Sequence, residues 1–434
     1  MLSSKFQLPS VEELLISGGD ERLALNTLGF NKYGCSPLPI DDIFSFSSST
    51  ASSLSSDDFA VGEKYRSELE NQLSENSPET VFENESKKLC LAWKKACDFP
   101  EKSRVLLSPS GTDLHRLVSE HFDDTTILMV ETNETGSGVA QALKVENQVV
   151  SVALRLENGD LRPICDVDKD FENLTKKAIQ KNQRVLIVMV DQSKTGLIAP
   201  SVDCVLNLKK QFSNLEILVD ACQFRLSAQT LNAYLKQNFM IALTGSKFLA
   251  APSFSGMLVL PEKFANSFKN ETTPNFGLLI RNYIALVNFQ KFNDLPNEKV
   301  FAFVEKFAVT IQHFLIENSS FELLEIPKLK RDSLVNSDFW DTLPTIFPFI
   351  LCRNNAPLLC SETAEIYKSF TKHSVNFEIG QPVLYGSEIS VLRLCLSSRL
   401  IVQAVLSEKK SAEIIENALF VLNEIARFAT KTRP

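Results

Sequence analysis

Between Arg104 and Leu260 short apolar runs alternate with segments of helical character, and this alternation constrains the fold more than any other feature of the chain. The runs RVLL, TILMVE, VVSVALR, RVLIVMVD, LEILVDA, MIALTG and GMLVL are enriched in β-branched residues and too short for helices. Helix-like stretches at 111–121, 168–182, 201–212 and 228–238 lie between several of them. Strands alternating with helices predict βαβ units, and therefore a mostly parallel sheet covered on both faces. Ser201, directly after Pro200, stands where one of these helices needs its cap.

The flanks read differently. Residues 31–58 are irregular and rich in Ser and Pro, and in ESKKLCLAWKKACDF the apolar Leu89, Trp93 and Ala96 recur at helical spacing. After Pro261 the pattern is helical, broken at Pro296. A C-terminal unit then offers TIFPFILCR and SVLRLCLS as strands, SETAEIYKSFTKH as a helix and SAEIIENALFVLNEIARF as a closing amphipathic helix. The expected plan is an arm over 1–60, a large α/β domain over 61–320 and a small α+β domain over 321–434.

Charge and cysteine content exclude several roles. With 45 Lys and Arg against 53 Asp and Glu, and no basic block, a nucleic-acid or anionic-membrane surface is not the main business of the chain. The nine cysteines contain no CxxC pair, and the four histidines (His115, His121, His313, His373) sit near no cysteine cluster, which argues against a disulfide framework or structural zinc. MLSSKFQLPSVEELL lacks a basic flank followed by an apolar core, and no apolar run reaches membrane-spanning length. These features predict a cytosolic protein with reduced thiols.

Ligands of open parallel sheets bind beyond the carboxyl ends of the strands, so the residues there matter most. After VLL comes Ser108-Pro109-Ser110-Gly111-Thr112-Asp113, small residues opening a helix whose free N–H groups favour an anion such as phosphate. After VLIVMV comes Asp191-Gln192-Ser193-Lys194-Thr195-Gly196, a polar turn. After LEILV comes Asp220-Ala221-Cys222-Gln223, where a buried carboxylate needs a cationic partner. After MIALTG come Ser246 and Lys247, and a desolvated lysine amine suits Schiff-base chemistry with a carbonyl. Each group alone also has a plain reading as a cap, a turn or a core polar residue. Together they match pyridoxal 5′-phosphate (PLP), which needs a phosphate cradle, a ring-nitrogen partner, a contact for its 3′-oxygen and a lysine for its aldehyde.

At these residues the sequence resembles the fold type I PLP-dependent enzymes, in particular the class V aminotransferase group that includes cysteine desulfurases and kynureninases. DACQ resembles the group's Asp-Ala-x-Gln, which implies Asp220 as ring-nitrogen partner and Gln223 beside the 3′-oxygen. TGSK is similar to its Ser-x-His-Lys, which implies Lys247 as the Schiff-base lysine and Thr244 and Ser246 as phosphate contacts; serine at 246 departs from the histidine of the desulfurases. SPSGTD resembles the phosphate turn, with Ser110, Gly111 and Thr112, and DQSKTG takes the place of the turn over the cofactor, with Asp191 and Ser193. ETTPN resembles the segment that reaches a neighbouring subunit's phosphate through a threonine, here Thr273, which implies a homodimer with a shared site. SVLRLCLS resembles the strand whose arginine, Arg393, grips the substrate carboxylate through two parallel hydrogen bonds. The resemblance spans roughly residues 100 to 425. It implies a large domain with a mostly parallel seven-stranded sheet and a small C-terminal α+β domain.

The group usually stacks a ring on the pyridine just after the second strand, but VETNETGSG offers no aromatic residue, leaving Thr132, Asn133 or Glu134 to cover it. Gly136-x-Gly138 lacks the third glycine of a dinucleotide fingerprint and reads as a turn. Cys360 and Cys395 read as structural residues rather than a desulfurase nucleophile. Family arms often cross the mouth of the site, so Asn31, Tyr33, Ser49 and Thr50 are candidate substrate contacts. Three functions stay open: an aminotransferase-like enzyme on a small amino acid, a kynureninase-like or C–S/C–C lyase, and a catalytically inactive scaffold that keeps the fold.

Overall fold

Seven strands form the large sheet: β1 (Arg104–Ser108), β2 (Thr125–Val130), β3 (Gln148–Val152), β4 (Arg184–Asp191), β5 (Leu215–Ala221), β6 (Met240–Thr244) and β7 (Gly256–Leu260). The computed structural model describes residues 7–430 except 137, 144–146, 182, 270–272, 336–337 and 374–375. The strands follow the order β1-β7-β6-β5-β4-β2-β3. β3, β2, β4, β5 and β6 are mutually parallel, whereas β7 runs antiparallel to both of its neighbours. A two-residue strand, Ile198–Ala199, adds to β4.

Every residue of β2, β6 and β7 is buried. That is why these segments read as continuous apolar runs rather than alternating ones. The helices between strands are Gly111–His121, the short Val139–Leu143, Ile164–Gln180, Val202–Gln211 and Ala228–Lys236. Ser201 caps its helix, its hydroxyl accepting from the Cys204 amide at 3.1 Å.

The helix Phe276–Asn293 is buried along nearly its whole length. Its Phe289 meets Trp93 at 5.5 Å and Phe224 at 5.6 Å between ring centroids, and Trp93 and Phe224 stand 6.0 Å apart. This aromatic cluster joins the helix Pro78–Ala96 to the end of β5, and so buttresses the segment that carries Asp220 and Gln223.

A second sheet has the order Phe44–Phe46, Phe377–Tyr385, Ile389–Cys395, Ile346–Arg353, Phe321–Leu323. Three of its strands were not legible in the sequence, among them Phe321–Leu323, which is only three residues long. Phe377–Tyr385 carries Gln381-Pro382 and an irregularity between Gly380 and Val383, which breaks the period-two pattern. Phe44–Phe46 is only three residues long and pairs parallel to Phe377–Ile379. The Ser-rich stretch is therefore no loose linker: Ser45, Ser47, Ser48, Ser49, Ser52 and Ser53 are all buried. Among the described residues no helix is long and apolar enough to cross a membrane.

Candidate active site

The carboxyl ends of β1, β2, β4, β5 and β6 open onto one cavity of about 530 Å³. A larger groove of about 930 Å³ lies between the helices Pro78–Ala96 and Gly111–His121, but Lys247, Asp220 and Arg393 do not reach it.

Lys247 stands in the turn after β6. That turn is pinned by the Gly245 amide donating to the Ser255 carbonyl at 2.8 Å and the Ala250 amide donating to the Lys247 carbonyl at 2.9 Å. A Cβ on Gly245 would come within 2.5 Å of the Ala285 Cβ, so glycine lets the turn press against the helix Phe276–Asn293. Phe224, Ala250 and Phe254, around the same turn, hold φ of 55°, 53° and 68°, sparsely populated values for side chains of their kind. Burial pushes the Lys247 amine below its ordinary value. Arg393 and Arg225 push the same way, against Cys222 and Asp220.

Asp220, at the end of β5, is 5% exposed, and its Oδ2 lies 3.3 Å from Nε2 of the fully buried His115. Oδ1 accepts the Cys222 amide at 3.1 Å. Burial alone would raise the Asp220 pKa, but His115, Lys247 and the Cys222 side chain together hold it well below the usual carboxylate range. His115 is the mirror case: burial disfavours its charge, while Asp220 and the Gly111 carbonyl raise its pKa overall. A buried carboxylate so held stays anionic and can accept a hydrogen bond from a cationic ring N–H. His115 was missed in the sequence, although it lies one helical turn after Gly111 on the face that meets β5.

Gly111 sits where a Cβ would be 3.0 Å from the Cys222 Sγ and 3.5 Å from the Thr244 Cγ2. Ser110 caps the helix through the Asp113 amide at 3.3 Å. Arg22, from the N-terminal arm, donates to the Ser110 hydroxyl at 3.1 Å and the Thr112 hydroxyl at 3.0 Å. It is held there by Asp20 at 2.6 Å and lies over the Phe254 ring at 4.9 Å. Its tie to Asp20 raises its pKa further. A helix N-terminus, two hydroxyls and a guanidinium thus stand together on the cavity, with the Ser110 hydroxyl also donating to the Asp113 carboxylate at 2.6 Å. No local pattern marks Arg22, because its role depends on the arm folding back over the turn.

Thr244 and Ser246 line the cavity, with the Thr244 hydroxyl donating to the Cys222 carbonyl at 2.7 Å. Gln223 lines it too, its amide donating to the Ser49 carbonyl at 3.3 Å. Tyr33, Ser49 and Thr50 reach the cavity from the arm. Asn31 does not: its side-chain oxygen is used inside its own loop, accepting the amides of Tyr33 at 2.9 Å and Cys35 at 3.1 Å.

Two residues of the turn after β4 also depart from the expectation. Asp191 is fully buried away from the cavity, bonded by Arg331 at 2.6 and 2.8 Å and by the Tyr234 hydroxyl at 2.7 Å. Ser193 donates to Glu134 at 2.7 Å and does not line the cavity. Val190, Gln192 and Lys194 line it instead, where the strand ends at Asp191 and the chain bends into a turn closed by the Gly196 amide donating to the Ser193 carbonyl at 3.1 Å. Thr273 is exposed and lines a shallow depression with Gly18 and Asn275, outside its own chain's cavity; Glu271 and Thr272 beside it lie outside the described residues.

Thr132, Asn133 and Glu134 all border the cavity. Glu134 is already committed, bonding Arg155 at 2.9 Å, Ser193 at 2.7 Å and the Thr195 hydroxyl at 2.8 Å. Arg393 is 2% exposed; it donates to the Thr50 hydroxyl at 3.2 Å, the Gln381 carbonyl at 2.5 Å and the Lys194 carbonyl at 3.4 Å. Burial lowers its pKa, opposed by Cys395, Glu134 and Tyr367. Around the cavity Ser49 Oγ, Asn133 Oδ1, Thr135 Oγ1, Gln192 Nε2, Ser253 Oγ and Arg393 Nε are buried without a partner. Buried polar atoms rarely go unpaired, and six around one cavity mark it as a site for a polar ligand. Cys360 and Cys395 do not reach it, whereas Cys222 does.

This architecture is shared with solved structures at low sequence identity. Sphingomonas wittichii serine palmitoyltransferase superposes with a TM-score of 0.53 at 10% identity, covering 88% of this chain and 87% of that one. The phosphoserine aminotransferase SerC from Cytophaga hutchinsonii gives 0.56 at 12%, covering 89% and 99%. The glutamate decarboxylase domain of a Vibrio parahaemolyticus diaminobutyrate-pyruvate transaminase and L-2,4-diaminobutyrate decarboxylase gives 0.50 at 12%, covering 81% and 73%. The chain has the α/β architecture of fold type I PLP-dependent enzymes. No protein-family model matches its sequence, and a search of curated proteins finds no match.

Proposed function

We propose that the chain is a PLP-dependent enzyme acting on an amino acid, with transamination as its reaction. The observation that carries this reading is the convergence of Lys247, the Asp220–His115 pair and the Arg22-bearing phosphate turn on one cavity lined with unpartnered polar atoms. Solved structures of the same fold include serine palmitoyltransferase with PLP.

The residues present fit the cofactor. Ser110, Gly111, Thr112, Thr244, Ser246 and Arg22 would hold its phosphate, Asp220 its ring nitrogen, Gln223 its 3′-oxygen and Lys247 its aldehyde. When bound, PLP supplies an electron-withdrawing ring that weakens the bonds at the substrate Cα. Arg393 grips the substrate carboxylate and so sets which of those bonds faces the ring. The Lys247 amine, its basicity lowered by burial, takes and returns the proton at Cα. The arm, through Tyr33, Ser49 and Thr50, roofs the cavity and excludes water.

Transamination asks nothing further of the protein, whereas thiol-carried C–S cleavage needs a mobile cysteine; Cys360 and Cys395 lie outside the cavity, and Cys222 is packed beneath Gly111. The same reading makes the enzyme a class V homodimer in the cytosol, with Thr273 reaching the neighbour's phosphate.

The test is the visible absorbance of the purified protein after PLP addition. A band should form in the wild type and trap onto Lys247 with borohydride, and Lys247→Ala should show neither. No band in the wild type returns the chain to a non-catalytic scaffold. Product analysis decides the reaction: a keto acid from the offered amino acid supports transamination, and ammonia with pyruvate, or alanine release, supports a lyase.

A further inference from the structure

Lys194, Lys247 and Arg393 open onto the cavity with no carboxylate in salt-bridge contact among the described residues. Its other charges are matched locally: Arg22 by Asp20, Asp220 by His115, Glu134 by Arg155. If Lys247 serves the cofactor and Arg393 the substrate carboxylate, Lys194 is left over. Its ammonium has three donors, and its one hydrogen bond is to the Thr132 carbonyl at 3.2 Å. Taking an ammonium partly out of water for a single neutral acceptor is unfavourable unless an anion completes it. The Lys194 backbone carbonyl accepts from Arg393 at 3.4 Å, and both residues line the same cavity. Gln192 Nε2 and Thr135 Oγ1, on the same cavity, are buried donors without partners.

We propose that Lys194 binds a second anionic group of the substrate, so that the substrate is an amino acid whose side chain ends in a carboxylate. The inference rests on the cofactor reading above. Arg393 takes the α-carboxylate and Lys194 the distal one, with Gln192 beside it. An amide isostere fills the same volume but leaves Lys194 unpaired, and a site built for a charged group rejects its neutral analogue strongly.

The PLP-loaded protein should be titrated with aspartate, glutamate, asparagine and glutamine, following the visible band. In the wild type the better acid should half-saturate at a concentration about tenfold or more below its amide. Lys194→Gln should erase that preference while leaving the amides within about twofold of wild type, and Lys194→Arg should restore most of it. Equal saturation by acids and amides in the wild type overturns the inference and leaves the cofactor reading intact. So does a Lys194→Gln protein weakened alike for all four, since Lys194 then only anchors the Thr132 turn. A wild type without any band overturns the cofactor reading, and the inference with it.

Discussion

His115 Nε2 lies 3.3 Å from Asp220 Oδ2 while His115 Nδ1 lies 2.6 Å from the Gly111 carbonyl oxygen, so one buried ring couples the carboxylate of β5 to the Ser110–Thr112 turn. The pair sets two demands at once: the carboxylate must stay charged and it must stay in place.

Replacing His115 by Phe leaves Asp220 buried without its cation. Loss of one partner of a buried pair costs about 3–5 kcal/mol, read as a shift in the urea midpoint. The sign follows from the two shifts. The raised His115 contributes stability that is full below its ordinary 6.5 and fades as pH rises through its folded value. The depressed Asp220 contributes above its ordinary 3.8 and loses this only as pH falls through its folded value. The gap between wild type and His115→Phe should therefore be widest between pH 4 and 6.5 and narrow at alkaline pH.

Arg22 reaches the Ser110–Thr112 turn from the arm of its own chain. Arg22→Gln should weaken PLP binding by about tenfold or more, measured by titration of the visible band, with the fold intact by circular dichroism. Asp20→Asn should have a smaller effect, because it removes only the residue that orients the guanidinium.

Asp191 and Arg331 form a structural pair, not a cofactor contact. Asp191→Asn should lower the stability of the chain by about 3–5 kcal/mol in urea unfolding. In the fraction that remains folded, PLP affinity should stay near wild type, a result opposite to that for Arg22→Gln.

Gly245→Ala tests the lysine turn. A Cβ there meets Ala285 at 2.5 Å and the Ser255 Oγ at 2.9 Å, so the turn must move. Overpacking of this kind costs about 1–3 kcal/mol, and the displaced Lys247 should trap less cofactor with borohydride.

Lys194 is pushed down to about 8, first by burial and then by Lys247 and Arg393, with Glu134 opposing. Its affinity for an acidic substrate should hold below about pH 8 and fall above it, as the ammonium loses its proton. Lys194→Arg should keep that affinity to higher pH, because a guanidinium does not deprotonate there.

Much of the scaffold was written locally. The strands from Arg104 to Leu260 and four of the helices between them were readable because a buried parallel sheet requires apolar β-branched runs, whereas the five-residue helix Val139–Leu143 was not. Asp220 and Lys247 stood out because charged residues at the ends of such runs need a reason. Phe377–Tyr385 was not readable, since Gln381-Pro382 interrupts its alternation and much of the strand is only half-buried.

The sequence by itself determined which residue types stand at the carboxyl ends of the strands, because the polymer can place a polar group there only at the point where an apolar run stops. Tertiary structure alone decided which of them share a cavity. It turned Asp191 away toward Arg331, a partner 140 residues further along the chain. It brought Arg22 to Ser110, His115 to Asp220 and Lys194 beside Arg393, contacts between groups far apart in the chain that no local pattern encodes.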